Sequence, residues 1–391
     1  MSRKRENTET NTSNLSDSNS GRKVAPQSRR QLLSTVAAGV GTTAVAGCLG
    51  GGGDDPLTIS VFGGAFKEIL DRELFEPFSE ETGIEFQSQA QGGTAEVLPT
   101  IEAGVEAGEA PVDVMILTLP GVFRGENSNL WHRWDHDEFD NLQYIKDDLQ
   151  NTNDDGELFT MPGLGWFINL VHNTDEVDDG PTSWDMLWDS QWEDQLGIMT
   201  PAVTGYLPDV AAATRFDEGQ DILDTEDGIR EVFEELSDIT PQGALWYTNE
   251  ANFQSRLAQG EIPAGMLYHD ITRVLRLEQD APVESTFAEE GSIFETGEWV
   301  VPRTTDKIDE VREFIDYSLD PEVQDHVARE LFTTPITEEQ HTELTDEEFE
   351  AAAGPGIDAA IHPNFEMYVE QEELINTLWD EMIGEEGEEE V

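Results

Sequence analysis

The chain predicts an α/β fold, sheets flanked by helices, and three observations carry that expectation. Strand and helix patterns alternate from residue 57 onward. Glycine pairs and single glycines stand where one pattern gives way to the next. About 335 residues remain once a polar leader and an acidic tail are set aside, enough for two ordinary domains. With one cysteine in 391 residues, no internal disulfide can form, so the fold rests on its core.

Leu57-Thr58-Ile59-Ser60-Val61-Phe62 alternates with period two and reads as the first strand. Gly63-Gly64 breaks it, and a helix follows with Phe66, Leu70, Leu74 and Phe78 on one face. Gly83 stops that helix, and Ile84-Glu85-Phe86 starts a second strand. A helical stretch from Glu96 to Val105 leads to a third strand, Val112–Leu117. This order of elements is the grammar of a parallel α/β sheet. Trp166–His172 reads as a strand, and Pro181-Thr182-Ser183-Trp184 enters a short helix through Leu187-Trp188. Glu226–Leu236 and Asn249–Gln259 are expected as helices, Ile262–Tyr268 as a strand, and Ile293–Val301 as an extended crossing segment. Ile308, Val311, Phe314 and Ile315 mark a further helix; Asp320-Pro321 caps and opens the next, which carries Val323, Val327 and Leu331. Residues 1–27 and Glu385–Val391 lack the apolar content of a folded segment.

The N-terminus carries Ser28-Arg29-Arg30-Gln31-Leu32-Leu33, a soft apolar run, and Val45-Ala46-Gly47-Cys48. An arginine pair, a weakly apolar stretch and a small-residue cleavage site together read as a twin-arginine export signal over residues 1–47. Cys48 is then the acylated first residue of a lipoprotein, and the glycine-rich residues 48–56 are its tether. The apolar run is interrupted by Gly39, Gly41, Thr42, Thr43 and Gly47, unlike a spanning helix of about 20 apolar residues. This places the mature protein on the outer face of the cytoplasmic membrane.

The formal charge is −63, and from residue 48 onward 14 basic residues face 81 acidic ones, a net of −67. Only Lys67, Lys146 and Lys307 remain as lysines there. Such a surface repels itself in dilute salt and is screened at about 1 M, where the Debye length is about 3 Å. A salt-dependent, halophilic protein explains it. The acidity argues against a nucleic-acid partner, which wants clustered Lys/Arg to meet phosphates. The acidity covers the whole mature chain, so by itself it names no cationic ligand.

Trp131-His132-Arg133-Trp134-Asp135-His136-Asp137 sets two histidines four apart beside carboxylates. Without the HExxH pattern it reads as a solvated connector, and no metal is assigned. His269-Asp270 has the composition of an acid–base pair. No Gly-x-Ser-x-Gly elbow, reactive cysteine or phosphate loop accompanies it, so no catalytic residue and no cofactor are assigned. Phe62, Trp166, Tyr206, Trp246, Tyr247, Tyr268 and Trp299 fall at or beside breaks between elements. Ligands of open α/β sheets bind beyond the carboxyl ends of strands, and aromatic walls suit an organic cation. Each of these rings taken alone is an ordinary core residue; about a third of the set is expected to line a cleft.

Phe62-Gly63-Gly64-Ala65-Phe66 and Phe75-Glu76-Pro77-Phe78-Ser79-Glu80-Glu81-Thr82-Gly83-Ile84 resemble the opening of bacterial extracellular solute-binding proteins of ABC transporters. Pro181–Trp184 with Leu187-Trp188, Glu290–Phe294, Val301-Pro302, Phe314–Val323 and Thr334-Pro335 are similar to the spermidine/putrescine-binding branch, in order across residues 57–336. The resemblance implies the two-lobed periplasmic-binding-protein fold, with the solute between the lobes and a membrane permease as docking partner. Lobe one would take residues 56–169 and 296–335; lobe two would take 170–295 and 336–384, with an acidic tail at 385–391. The hinge would pass near Asn169-Leu170 and Phe294–Gly297.

Carried over, Phe62, Gly63, Gly64, Thr118 and Trp166 face the cleft from lobe one, and Gly205, Tyr206, Trp246, Tyr247, Tyr268 and Asp270 from lobe two. Polyamine binders keep an aspartate in the crossing strand, where this chain has Gly297. Glu295 or Glu298 could replace it, but alternation lets at most one face of the segment point inward; Glu298 is taken as the site residue. A monomer binding a polyamine-like cation is the expectation. An anion, a sugar, an amino-acid derivative or ferric iron on the same fold stays open, as does a secreted hydrolase. The tyrosine pair of iron-binding relatives is not visible.

Overall fold

The computed structural model describes residues 55–383 apart from 64, 93, 154, 201–204 and 249. Arg29, Arg30, Cys48, most of the tether, Gly64 and the acidic tail lie outside the described residues.

Among the described residues nine strands form one sheet: β1 (Leu57–Phe62), β2 (Phe86–Gln91), β3 (Val114–Thr118), β4 (Met161–Asn173), β5 (Leu196–Met199), β6 (Gly243–Tyr247), β7 (Ala264–Tyr268), β8 (Val283–Thr286) and β9 (Ile293–Val300). The order is β2-β1-β3-β9-β4-β7-β5-β6, with β8 paired to β4. β1 runs parallel to β2 and β3, as strand–helix–strand units require. β9 is antiparallel to β3 and to β4, so the sheet is mixed rather than wholly parallel.

β4 and β9 shape the molecule. All 13 residues of β4 are buried, and so are all eight of β9. β4 pairs with β9 over Met161–Ile168 and with β7 over Ile168–His172. One apolar core gathers Leu57, Phe75, Phe78, Phe167, Phe294, Trp299 and Phe314 around the first half of β4. Another gathers Leu170, Trp184, Ile198, Leu207, Phe233 and Phe253 around its second half. The fold is two-lobed, and Tyr268 packs against both cores.

The first helix is not continuous. Ala65–Leu70 and Glu76–Thr82 are α-helical, and Asp71–Phe75 between them is a π-turn. Pro77 has no N–H to donate into the ladder, and the wider turn lets the adjacent Leu74 and Phe75 both reach the core. Gly83 ends the helix at φ 77°, its N–H bonded to the Ser79 carbonyl at 2.9 Å. Asp320 caps Pro321–Leu331, its carboxylate accepting from the Glu322 N–H.

The solvated connector expected at residues 131–137 is instead partly core. Trp131 and Trp134 are buried, and the Trp131 indole N–H donates to the Val122 carbonyl at 2.8 Å. Among the described residues no helix is long and apolar enough to cross a membrane.

Candidate functional site

Glu295 lies in β9, paired in register with Trp166 of β4. Its side chain is 2% exposed. Three neutral donors meet the carboxylate: the Trp166 indole N–H at 3.1 Å, the Tyr206 hydroxyl at 2.5 Å and the Tyr268 hydroxyl at 3.2 Å. Burial raises its pKa, and the hydrogen bonds from Tyr206, Trp166 and Tyr268 oppose that rise. No Lys or Arg among the described residues forms an ion pair with it.

Local structure explains the convergence. Tyr268 is the last residue of β7 and Asp270 lies in the first turn of the helix that follows, His269–Gln279. Tyr206 stands at the start of the helix Leu207–Arg215 with φ 48°. That left-handed backbone is unusual for an aromatic residue and persists only when contacts hold it. The Trp166 ring meets Phe66 edge-on at 6.3 Å and Tyr268 at 6.4 Å; Phe66 in turn meets Phe62 at 6.0 Å. The cluster thus draws aromatic walls from β1 and its helix, from β4, from β7 and from the Tyr206 turn.

Two further carboxylates carry the same signature. Burial pushes Glu250, at the head of the helix Glu250–Ala258, up to about 7, with the charge of Glu295 adding to it. Asp270 is also raised to about 7, chiefly by burial, and its Oδ1 is buried without a hydrogen-bond partner. Neither carboxylate has a Lys or Arg ion-pair partner among the described residues. A buried carboxylate without a cation is costly, and one with an unfilled acceptor is costlier still. The arrangement concentrates acceptors and negative charge where no Lys or Arg among the described residues forms an ion pair with them.

Gly297 accounts for the position of Glu295. A Cβ there would come within 2.6 Å of the Trp166 ring and 2.7 Å of Ile116. Glu298 belongs to another environment: its carboxylate accepts from Thr160 at 3.0 Å and Thr296 at 2.6 Å, and burial raises it to about 7.

Of the residues expected from sequence, the structure brings Trp166, Tyr206 and Tyr268 together, with Phe62 joined through Phe66. It does not bring Glu298, Trp246 or Tyr247 to them. Trp246 packs on Trp379 at 5.9 Å; the Tyr247 ring stacks on Phe253 and its hydroxyl donates to the Met266 carbonyl at 2.6 Å. Thr118 heads the helix Leu119–Asn127 opposite Gly297 in register. Gly63 follows β1 and is exposed, and Gly205 directly precedes Tyr206 where a Cβ would come within 2.6 Å of the Met199 carbonyl oxygen. His269 does not pair with Asp270; it contacts Ser285 and the Ala351 carbonyl, and burial holds it neutral at about 4. A cavity of about 1160 Å³ beside His269 and Arg273 is lined largely by the segment 339–355 and includes none of the cluster.

Sequence reasoning missed Phe66 and Glu250 and left Glu295 as one of two options. The signal for Glu295 lay in the pairing of β9 with β4, which no single strand reveals.

A family model for bacterial extracellular solute-binding proteins matches residues 73–353. No curated protein matches the chain in sequence. Among solved structures, an ABC transporter protein from Clostridium perfringens is similar with 20% identity and a TM-score of 0.68, over 84% of this chain and 100% of the other. The spermidine/putrescine substrate-binding protein PotD from Streptococcus pneumoniae aligns with 17% identity, a TM-score of 0.64 and the same coverage. MotA from A. tumefaciens B6, solved with glucopine, aligns with 17% identity and a TM-score of 0.69, also over 84% and 100%. These likenesses give the two-lobed fold, and the family match spans well over half of the sequence: the chain belongs to the bacterial extracellular solute-binding proteins.

Proposed function

We propose that this protein is the substrate-binding component of an ABC importer and captures a small organic cation, polyamine-like in chemistry, between its lobes. The observation that carries the reading is Glu295, a buried carboxylate ringed by Trp166, Tyr206 and Tyr268 with no Lys or Arg ion pair among the described residues. A ligand ammonium supplies the missing charge, and the ring faces favour it further. Glu250 and Asp270 provide additional negative charge from the second lobe, whose residues are taken as 170–295 and 336–384. The solute touches both lobes only in the closed form, so it stabilises closure by that difference. The closed form docks on a membrane permease. Export by the twin-arginine route and acylation at Cys48 would keep the protein at the outer face of the cytoplasmic membrane, beside that partner.

No bond-breaking role is assigned. Glu295 is an acceptor held by three donors rather than an acid–base partner of a nucleophile, and the His269 ring nitrogens meet Ser285 and the Ala351 carbonyl rather than Asp270.

The test is a thermal-shift screen in several-molar KCl with spermidine, putrescine, amino acids, sugars and metal ions. A ligand at 100 times its dissociation constant adds about 2.7 kcal/mol of stability. Spermidine or putrescine should raise the melting temperature, and Glu295→Gln should weaken that binding by about 10- to 100-fold, the loss of one charge-assisted hydrogen bond. If polyamines leave melting unchanged while another class raises it, the cation reading fails.

A further inference from the structure

Tyr206 needs an explanation that the site alone does not give. Its backbone lies at φ 48°, yet its hydroxyl must be aimed at Glu295. The chain that holds it comes from the C-terminus. Ile361 exchanges backbone hydrogen bonds with Ser292 and Phe294, laying the segment beside β9. Asn364 then caps the short helix Phe365–Glu370, its side chain accepting from the Met367 N–H. Phe365 and Tyr368 on that helix meet the Tyr206 ring edge-on, at 5.6 Å and 5.7 Å.

Tyr368 is itself anchored. Its hydroxyl donates to Asp209 Oδ2 at 2.5 Å, and Asp209 Oδ1 accepts from Gln220 at 2.7 Å and from the Asn364 N–H at 3.4 Å. Asp209 is fully buried, one turn into the helix that Tyr206 begins. The same carboxylate therefore ties down both the start of that helix and the aromatic residue braced against Tyr206. Residues 361–370 lie beyond the stretch 73–353 matched by the family model.

We propose that Tyr368, anchored on Asp209, is a positioning residue that fixes Tyr206 on Glu295 and thereby sets the affinity of the solute site. The proposal rests on the reading of Glu295 as the solute's counter-charge. Tyr368 touches no solute; it acts through the Tyr206 ring. Removing it leaves a strained tyrosine free to turn, and the Glu295 carboxylate then loses a donor and swings relative to the Trp166 indole.

The Trp166 indole N–H resonance of the full protein, recorded without ligand in molar KCl and assigned by Trp166→Phe, reads this directly. Trp166 is not among the ring contacts of Tyr368, so the signal reports the relay rather than the local gap. Tyr206→Phe sets the reference displacement. Tyr368→Leu should move the signal in the same direction by at least half as much, and Tyr368→Phe, which keeps the ring, by less. Should the leucine variant not fold, the phenylalanine variant still has to move the signal. A Trp166 resonance at its wild-type position in the folded Tyr368 variants, even with a lowered melting temperature, would reduce Tyr368 to ordinary packing and overturn the proposal. A resonance indifferent to Tyr206→Phe would remove the Glu295 cluster and this proposal together. A resonance that responds as expected in a protein that ignores spermidine would keep the positioning role and discard only the ligand class.

Discussion

Gly297 decides where charge can stand in this site. Its α-carbon faces the Trp166 ring so closely that even a methyl group would sit 2.6 Å away. Gly297→Ala should therefore push the indole off Glu295, weaken cation binding and cost about 1–3 kcal/mol of stability. Near-UV circular dichroism and denaturant unfolding would register both, and unchanged spectra and midpoint would contradict the packing described. The glycine was visible in the sequence, and so was the choice between Glu295 and Glu298 on opposite faces of one strand. Which face turned to the site was not legible, because that depends on the neighbour: Trp166 opposite Glu295, Pro162 opposite Glu298. Trp246 and Tyr247 show how packing neighbours stay hidden in a sequence. Aromatic residues before a break resemble a ligand wall, yet Trp246 serves as packing for Trp379 and Tyr247 as a stack on Phe253.

At the scale of elements, local chemistry was the readable part. The Asp320-Pro321 start is a side-chain cap followed by a residue that needs no N–H partner, and the structure builds that helix from Pro321 to Leu331. Asp320→Ala should lower stability by about 1 kcal/mol in urea unfolding, since the Glu322 N–H loses its acceptor. An unchanged midpoint would mean that the cap carries no weight. β1, β7 and β9 were anticipated near their true bounds because alternation or long apolar content marks them, whereas only Trp166–His172 of β4 was read and Met161–Gly165 was not. β5, β6 and β8 were not, being four or five residues long with no usable period. The π-turn at Asp71–Phe75 was also hidden, since Phe66, Leu70, Leu74 and Phe78 fit a regular helix until Phe75 is found buried beside Leu74.

For the whole molecule, buried ionisable groups give an unusual response to pH. Glu250, Asp270 and Glu298 are each held near 7 by burial, against about 4 in an unfolded chain. The fold prefers their protonated forms, so this stability is complete below about 4 and is lost as pH rises through about 7. His269 works oppositely, held at about 4 against about 6.5 unfolded, and its contribution fades as pH falls between those values. Between about pH 8 and pH 6 the carboxyls dominate, and the ligand-free protein should melt at a higher temperature as acid is added. Binding of spermidine should change the other way, tightening as pH rises through about 7, because an ionised carboxylate is the better partner. Melting scans and calorimetry at fixed molar KCl would check both slopes; two flat profiles would refute the account. The route between the halves has a mechanical consequence as well. β4 and β9 run hydrogen-bonded to each other from Met161 to Ile168, and β4 continues into the second half. A pair of laced strands resists twisting as a torsion spring does. Release of cargo from such a clamp would be quickened by elastic recoil, where a floppy linker would leave it to chance.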